Sequence, residues 1–164
     1  MKKISFIAVL LLLVIFLEGC ASIGYARTSY NNQSFRGLKL GMPVPVYAEN
    51  NMSLVANIDI TFYNSETPDP INPTTQDNLV NMVVGLQYHQ LLLPPYFGVY
   101  GGLGYNGSNY YPSRNSTAHI TGNGLAYEGG IDIYQILHLG YRVSPLANTT
   151  INEMYVELGL PMMY

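Results

Sequence analysis

Three constellations of residues have the types and spacing to do chemistry. Ser116, His119 and Glu128 supply a hydroxyl, an imidazole and a carboxylate, the components of a nucleophile, its base and an orienting group. Gly102-Leu103-Gly104-Tyr105-Asn106-Gly107 spells G-x-G-x-x-G, a string that cradles a pyrophosphate when a strand precedes it and a helix follows. Glu128, Asp132, Arg142, Glu153 and Glu157 are spaced by even numbers within each of three successive segments, so each segment can present its charges on one face of a strand. Such a set can pair as one ionic network around Arg142. The three histidines are scattered and Cys20 is the single cysteine, so no metal-ligand spacing arises, and neither a metal nor a cofactor is expected.

The elements that must carry these residues are strands. From Leu125 to Tyr134 one face holds Leu125, Tyr127, Gly129, Ile131 and Ile133, and the other holds Ala126, Glu128, Gly130, Asp132 and Tyr134. Leu137, Leu139, Tyr141 and Val143 oppose His138, Gly140, Arg142 and Ser144 in the next segment. In the last, Met154, Val156, Leu158, Leu160, Met162 and Tyr164 oppose Glu153, Tyr155, Glu157, Gly159, Pro161 and Met163. The same period of two runs upstream through Leu38 to Val46, Leu54 to Phe62, Val80 to Tyr88 and Phe97 to Tyr105. Lys39, Asp59, Glu128, Asp132, Arg142, Glu153 and Glu157 all fall opposite the apolar phase, together with Gly41, Gly85, Gly102, Gly130 and Gly140. Short links are expected near 48–51, 91–94 and 135–136, and longer polar ones near 31–36, 64–78, 107–120 and 145–150. Closing the count at eight needs one more strand, and residues 22–30 are the only stretch left for it, with no clear phase.

Composition points to where such a sheet resides. Only 10% of the 164 residues are charged, against about 25% in ordinary soluble domains, while Tyr and Gly number 15 and 16. Lys2 and Lys3 precede an apolar run from Ile4 to Leu17, broken only by Ser5, which reads as an export signal and is shorter than the roughly 20 residues that span a bilayer as a helix. Residues 1–19 are therefore expected to be removed, leaving 20–164 as one barrel domain. Loss of Lys2, Lys3 and Glu18 takes the net charge from −3 to −4, which disfavours nucleic-acid binding. Leu17-Glu18-Gly19-Cys20 resembles the bacterial lipobox, with Glu18 in place of the usual small or apolar residue, and the resemblance implies lipidation of Cys20.

An apolar outer face, a charged inner face and alternating links are the pattern of an up-and-down antiparallel transmembrane β-barrel of about eight strands. Val156, Leu158, Leu160, Met162 and Tyr164 form an alternating apolar series ending on an aromatic. That series resembles the signal by which outer-membrane barrels are recognised for assembly, and the whole mature chain is similar to the small OmpA/OmpX-like barrels. The resemblance implies a monomer in the bacterial outer membrane, with outer-membrane lipids and the barrel assembly machinery as partners and no nucleic acid. It further implies a non-enzymatic role in surface interaction through the external links. Two other readings stand beside it: a lipid-modifying outer-membrane enzyme, and a soluble lipid-anchored barrel of the lipocalin kind with its apolar faces turned inward. Some outer-membrane barrels are lipid A deacylases with a His-x-Ser order, which Ser116-Thr117-Ala118-His119 lacks. The G-x-G-x-x-G string leads into Ser108-Asn109-Tyr110-Tyr111-Pro112, a poor helix start, so a dinucleotide site is not expected. For the ionic network two roles are open, a structural plug of the lumen and a porin-like gate in which Arg142 exchanges partners.

Overall fold

A computed structural model describes residues 21–30, 32–66, 76–113 and 119–159. Eight strands make up its regular structure: β1 (Ser22–Tyr30), β2 (Gln33–Glu49), β3 (Met52–Ser65), β4 (Asn78–Leu93), β5 (Phe97–Tyr111), β6 (Ile120–Ile133), β7 (Leu137–Leu146) and β8 (Thr149–Gly159). Each pairs antiparallel with the next, and β1 pairs with β8, so the sheet closes into a barrel in chain order. Closure leaves no edge strand: each strand pairs with two neighbours, although residues 42–49 of β2 pair with β3 alone and 120–126 of β6 with β5 alone.

The barrel is inside out relative to a soluble protein. Lys39, Asp59, Arg142 and Glu153 are at most 1% exposed, whereas Leu103 and Leu125 are more than 60% exposed. Because side chains alternate across a strand, one phase assignment places a strand's run of alternating apolar residues outside together. The outer band includes Leu38 and Met42 on β2, Ile58 and Phe62 on β3, Met82, Val84 and Leu86 on β4, Leu103 and Tyr105 on β5, and Val156 and Leu158 on β8. This orientation is the reverse of a lipocalin-type cavity, which needs its apolar faces inward. The phase of β1 is also fixed: Ser22, Ala26 and Thr28 are buried, and Ile23, Tyr25 and Arg27 face out.

Several expectations about the links need correction: Leu91, Leu92 and Leu93 belong to β4, so the link expected near 91–94 is 94–96. Tyr30 pairs with Gln33, so Ser34, Phe35 and Arg36 belong to β2 instead of a loop over 31–36. Leu146 pairs with Thr149, which likewise reduces the expected 145–150 loop to a two-residue turn. The link expected over 107–120 is shorter, because β5 runs to Tyr111. At the other end the turn before β7 spans 134–136, one residue earlier than 135–136. Asn32 and Asn50 hold positive φ in their turns, a conformation asparagine tolerates better than most residues.

Inside, the contents change with height. Near the termini lie Ser22, Asn57, His89, Asp132, His138 and Glu157; Lys39, Asp59, Glu128, Arg142 and Glu153 follow; Asn81, Asn106, Ser108 and Ser144 lie beyond them. Phe35, Tyr63, Leu79, Tyr110, Leu146 and Ile151 close the far end as a packed apolar cluster. An eight-strand barrel is just wide enough for its own side chains. The cavity at the terminal mouth, about 20 Å³ and lined in part by His89, His138 and Tyr100, admits nothing larger than water.

Candidate functional site

Cross-strand register assembles the lumenal charges. Glu128 on β6 lies directly opposite Arg142 on β7, and Arg142 directly opposite Glu153 on β8, so the three occupy one row. Arg142 donates from Nε (3.0 Å) and Nη2 (2.6 Å) to Glu128 Oε2, forms an ion pair with Glu153 at 3.8 Å, and donates to Asp59 across the lumen. Lys39 is 2.8 Å from Asp59 Oδ2 and also donates to Glu157, which accepts a bond from the Ser22 hydroxyl. Gly24 on β1 stands between Lys39 and Glu157 in the register, and with no side chain there the two meet above its backbone.

Buried charges persist only when paired and hydrogen-bonded. Four carboxylates here share two cations, and neutral donors add to them, while Glu153 Oε1 accepts no hydrogen bond and stands 3.8 Å from Arg142. Glu128 accepts from Gln87 (2.7 Å) and the Tyr155 hydroxyl (2.9 Å), Asp59 from Asn57 (3.0 Å), and Glu153 from Asn81 (3.3 Å). The Tyr155 ring also lies beside both cations, 4.6 Å from Lys39 Nζ and 5.4 Å from Arg142 Cζ, where its negative face attracts them.

Asp132 does not join Arg142. It sits nearer the terminal mouth between two imidazoles, 2.8 Å from His89 Nδ1 and 2.6 Å from His138 Nδ1, with the His89 ring stacked on Tyr100 at 5.1 Å. The set Glu128, Asp132, Arg142, Glu153 and Glu157 thus divides. Glu128 and Glu153 touch Arg142, Glu157 is linked to it through Lys39 and Asp59, and Asp132 belongs to a histidine cluster. Among the described residues no group of three or more His, Cys, Asp or Glu side chains is arranged to hold a metal.

Lys39 and Asp59 fall on the inward phase of the sequence pattern but join the network only in the structure, and no spacing in the sequence singles out His89. Phase alone says which face a residue takes; it does not say which residues on distant strands share a height. The stagger on closing the barrel sets that.

Tyr100, Gly130, Gly140 and Tyr155 form one row across four strands, and the two tyrosine hydroxyls meet at 2.9 Å over the glycines. A methyl group on Gly140 would run into both the Tyr100 hydroxyl and the Tyr155 ring. Gly140→Ala is therefore expected to cost about 1–3 kcal/mol through overpacking, read as a lower urea midpoint in detergent; an unchanged midpoint would show that the rings yield freely.

The remaining constellations do not assemble. Glu128 is bound in the lumen, whereas His119 is exposed beyond the far end of β6 and stacks on Tyr111 at 6.2 Å, so they form no dyad; Ser116 lies outside the described residues. Gly102, Gly104 and Gly107 lie within β5 with no helix after them, which removes the pyrophosphate reading. Val156 and Leu158 face outward on β8; Leu160, Met162, Tyr164 and Cys20 lie outside the described residues.

Eight antiparallel strands closed in chain order, apolar outside and ionic within, define a small up-and-down β-barrel, the fold seen in solved outer-membrane barrels. Solved structures agree. The attachment invasion locus protein Ail of Yersinia pestis, crystallised with the heparin analogue sucrose octasulfate, shares 16% identity at a TM-score of 0.60, over 85% of this chain and 94% of that one. The outer membrane enzyme PagL shares 10% identity at a TM-score of 0.60, over 86% and 99%. Neisserial surface protein A shares 19% at 0.55, over 87% and 94%. No protein-family model and no curated protein sequence matches the chain.

Proposed function

We propose that this chain is an integral protein of the bacterial outer membrane whose lumen is a structural plug and whose function lies in surface contact through the links at the far rim. Both termini of the described barrel lie at one end, which faces the periplasm in this reading, with residues 1–19 removed on export and Cys20 lipidated. The observation that carries the proposal is the filled lumen: among the described residues an ionic layer is backed by the far apolar cluster, which favours the outward surfaces as the seat of function. The names of two neighbours, an attachment protein and a surface protein, accord with such a role.

The enzymatic alternative draws on the fold shared with PagL. Lipid A mass spectrometry of a deletion strain separates the two, with an unchanged lipid A profile expected. Membrane fractionation with heat-modifiable gel migration tests the location, and planar bilayers test the plug, where no steady conductance is expected. A resolved channel current would overturn it.

The contact surface has a built base. Ser65 N donates to Asp77 O at 2.9 Å, closing the β3–β4 link where it leaves the barrel. The Asp77 carboxylate accepts from the Tyr110 hydroxyl (2.6 Å) and the Ser113 backbone N–H (2.7 Å), tying this link to the one after β5. Burial pushes the Asp77 carboxyl up, but the bonds from Ser113 and Tyr110 outweigh it and hold it below the ordinary carboxylate value. Because the folded value is depressed, the tie is fully present above about pH 4 and is lost as pH falls through the folded value. Asp77→Ala is expected to remove it at neutral pH, and faster proteolysis between 66 and 77 in intact cells is the readout.

A further inference from the structure

The outer face of the barrel carries a pair of charges. Arg27 on β1 and Arg36 on β2 are directly opposite cross-strand partners, and both point outward. One row farther from the termini the outward residues are Ser29, Ser34 and Asn152; one row nearer they are Tyr25, Leu38 and Val156. The arginines therefore stand on the line where the apolar band ends.

Like charges directly opposite on paired strands repel, and beside a low-dielectric medium the repulsion is poorly screened. One internal anion reaches the pair: Glu66 is 2.8 Å from Arg27, whose side chain remains 55% exposed. Arg36 has no ion-pair partner among the described residues. A groove of about 200 Å³ opens against Arg27, with Ser29, Ser34 and Asn152 toward the rim and Tyr141 and Met154 toward the apolar band; Arg36, the cross-strand partner of Arg27, does not itself line it.

We infer that Arg27 and Arg36 form a binding site for the phosphorylated headgroup of a membrane lipid in the leaflet at the far end. A phosphate placed between the two guanidinium groups accepts paired N–H bonds from each and cancels their repulsion, and arginine's planar fork suits it better than a point charge does. Ser29, Ser34 and Asn152 supply neutral hydrogen-bonding groups around the headgroup, while Tyr141 and Met154 face the start of the acyl chains. The position on the apolar boundary selects a lipid phosphate over a free one, because a lipid also covers the greasy wall of the groove. Glu66 orients Arg27 and competes with the phosphate for it. The inference rests on the outer-membrane reading above.

The test uses the folded protein in phosphatidylcholine nanodiscs doped with lipid A or with phosphatase-treated lipid A, and native mass spectrometry of the lipid retained on extraction. Retention of lipid A, about tenfold weaker in the double variant Arg27→Gln/Arg36→Gln and about tenfold weaker for the phosphatase-treated lipid, is the expected result. Glu66→Gln should retain lipid A at least as well as the parent. Equal retention by the double variant, or of the dephosphorylated lipid, overturns the site; displacement by millimolar inorganic phosphate makes it a free-anion site and overturns the lipid assignment. Heat-modifiable migration of the same samples separates the two levels. An inserted barrel without selective retention removes only this inference, whereas a chain that never inserts removes the membrane reading on which it rests.

Discussion

Arg142→Ala is expected to destabilise the folded barrel by about 3–5 kcal/mol, the cost of stranding buried carboxylates whose cation has been removed. Three carboxylates lose it at once: Glu128 at 2.6 Å, Glu153 at 3.8 Å and Asp59. Lys39 still reaches Asp59 at 2.8 Å, and Tyr155 and Gln87 still bond Glu128, which keeps the loss within that range. Arg142→Lys restores a charge but not the fork that serves Nε, Nη1 and Nη2 contacts together, so it should fall between the parent and the alanine variant. Urea unfolding in detergent or lipid vesicles gives the numbers. A loss under 1 kcal/mol for Arg142→Ala would show that the carboxylates relax or take up protons instead, and that Arg142 does not organise the lumen.

Much of this architecture is legible because two faces of opposite polarity imprint a period of two on each strand. Leu137 to Val143 alternates cleanly, apolar outside and polar or small within, and Leu54 to Phe62 does so except at the inward Val55; the eight-strand closed barrel follows from the sum of such segments. The signal fails where the outward residues turn polar. Beyond the apolar band the outward residues are Ser34, Arg36, Asn64, Asn78 and Asn109, so pairing continues while the alternation of hydrophobicity vanishes, and the strand ends read as loops. Phe35 shows the cost: wholly buried in the far cluster, it lies in a stretch whose other residues look like a turn. The inward set was likewise legible by phase, but its partition was not. Asp132 and Glu128 share a strand and a face, yet cross-strand partners send one to His138 and the other to Arg142. Lys39 meets Glu157 only because β1 intervenes with a glycine, a consequence of closure that no local pattern carries.

Val84→Arg is expected to cost about 2–4 kcal/mol when folding is measured into lipid vesicles, and Asn78→Arg no more than about 1 kcal/mol, because the cost of a cation on the lipid face falls with distance from the midplane. Both positions lie on the outward phase of β4, 47% exposed at Val84 and exposed at Asn78, so local packing does not separate them. The surrounding medium does. Val84 stands between Met82 and Leu86 on its own strand and opposite Ile58 and Tyr105 on its neighbours, in the middle of the apolar band. In water an exposed arginine at either site would change stability by no more than about 0.5 kcal/mol, as surface substitutions do. The difference between the two variants is thus a direct reading of what covers the outer face. A matched pair of small losses would mean that water covers it, and the buried charges of the lumen would then belong to a soluble barrel that has no reason to expose Leu103 and Leu125.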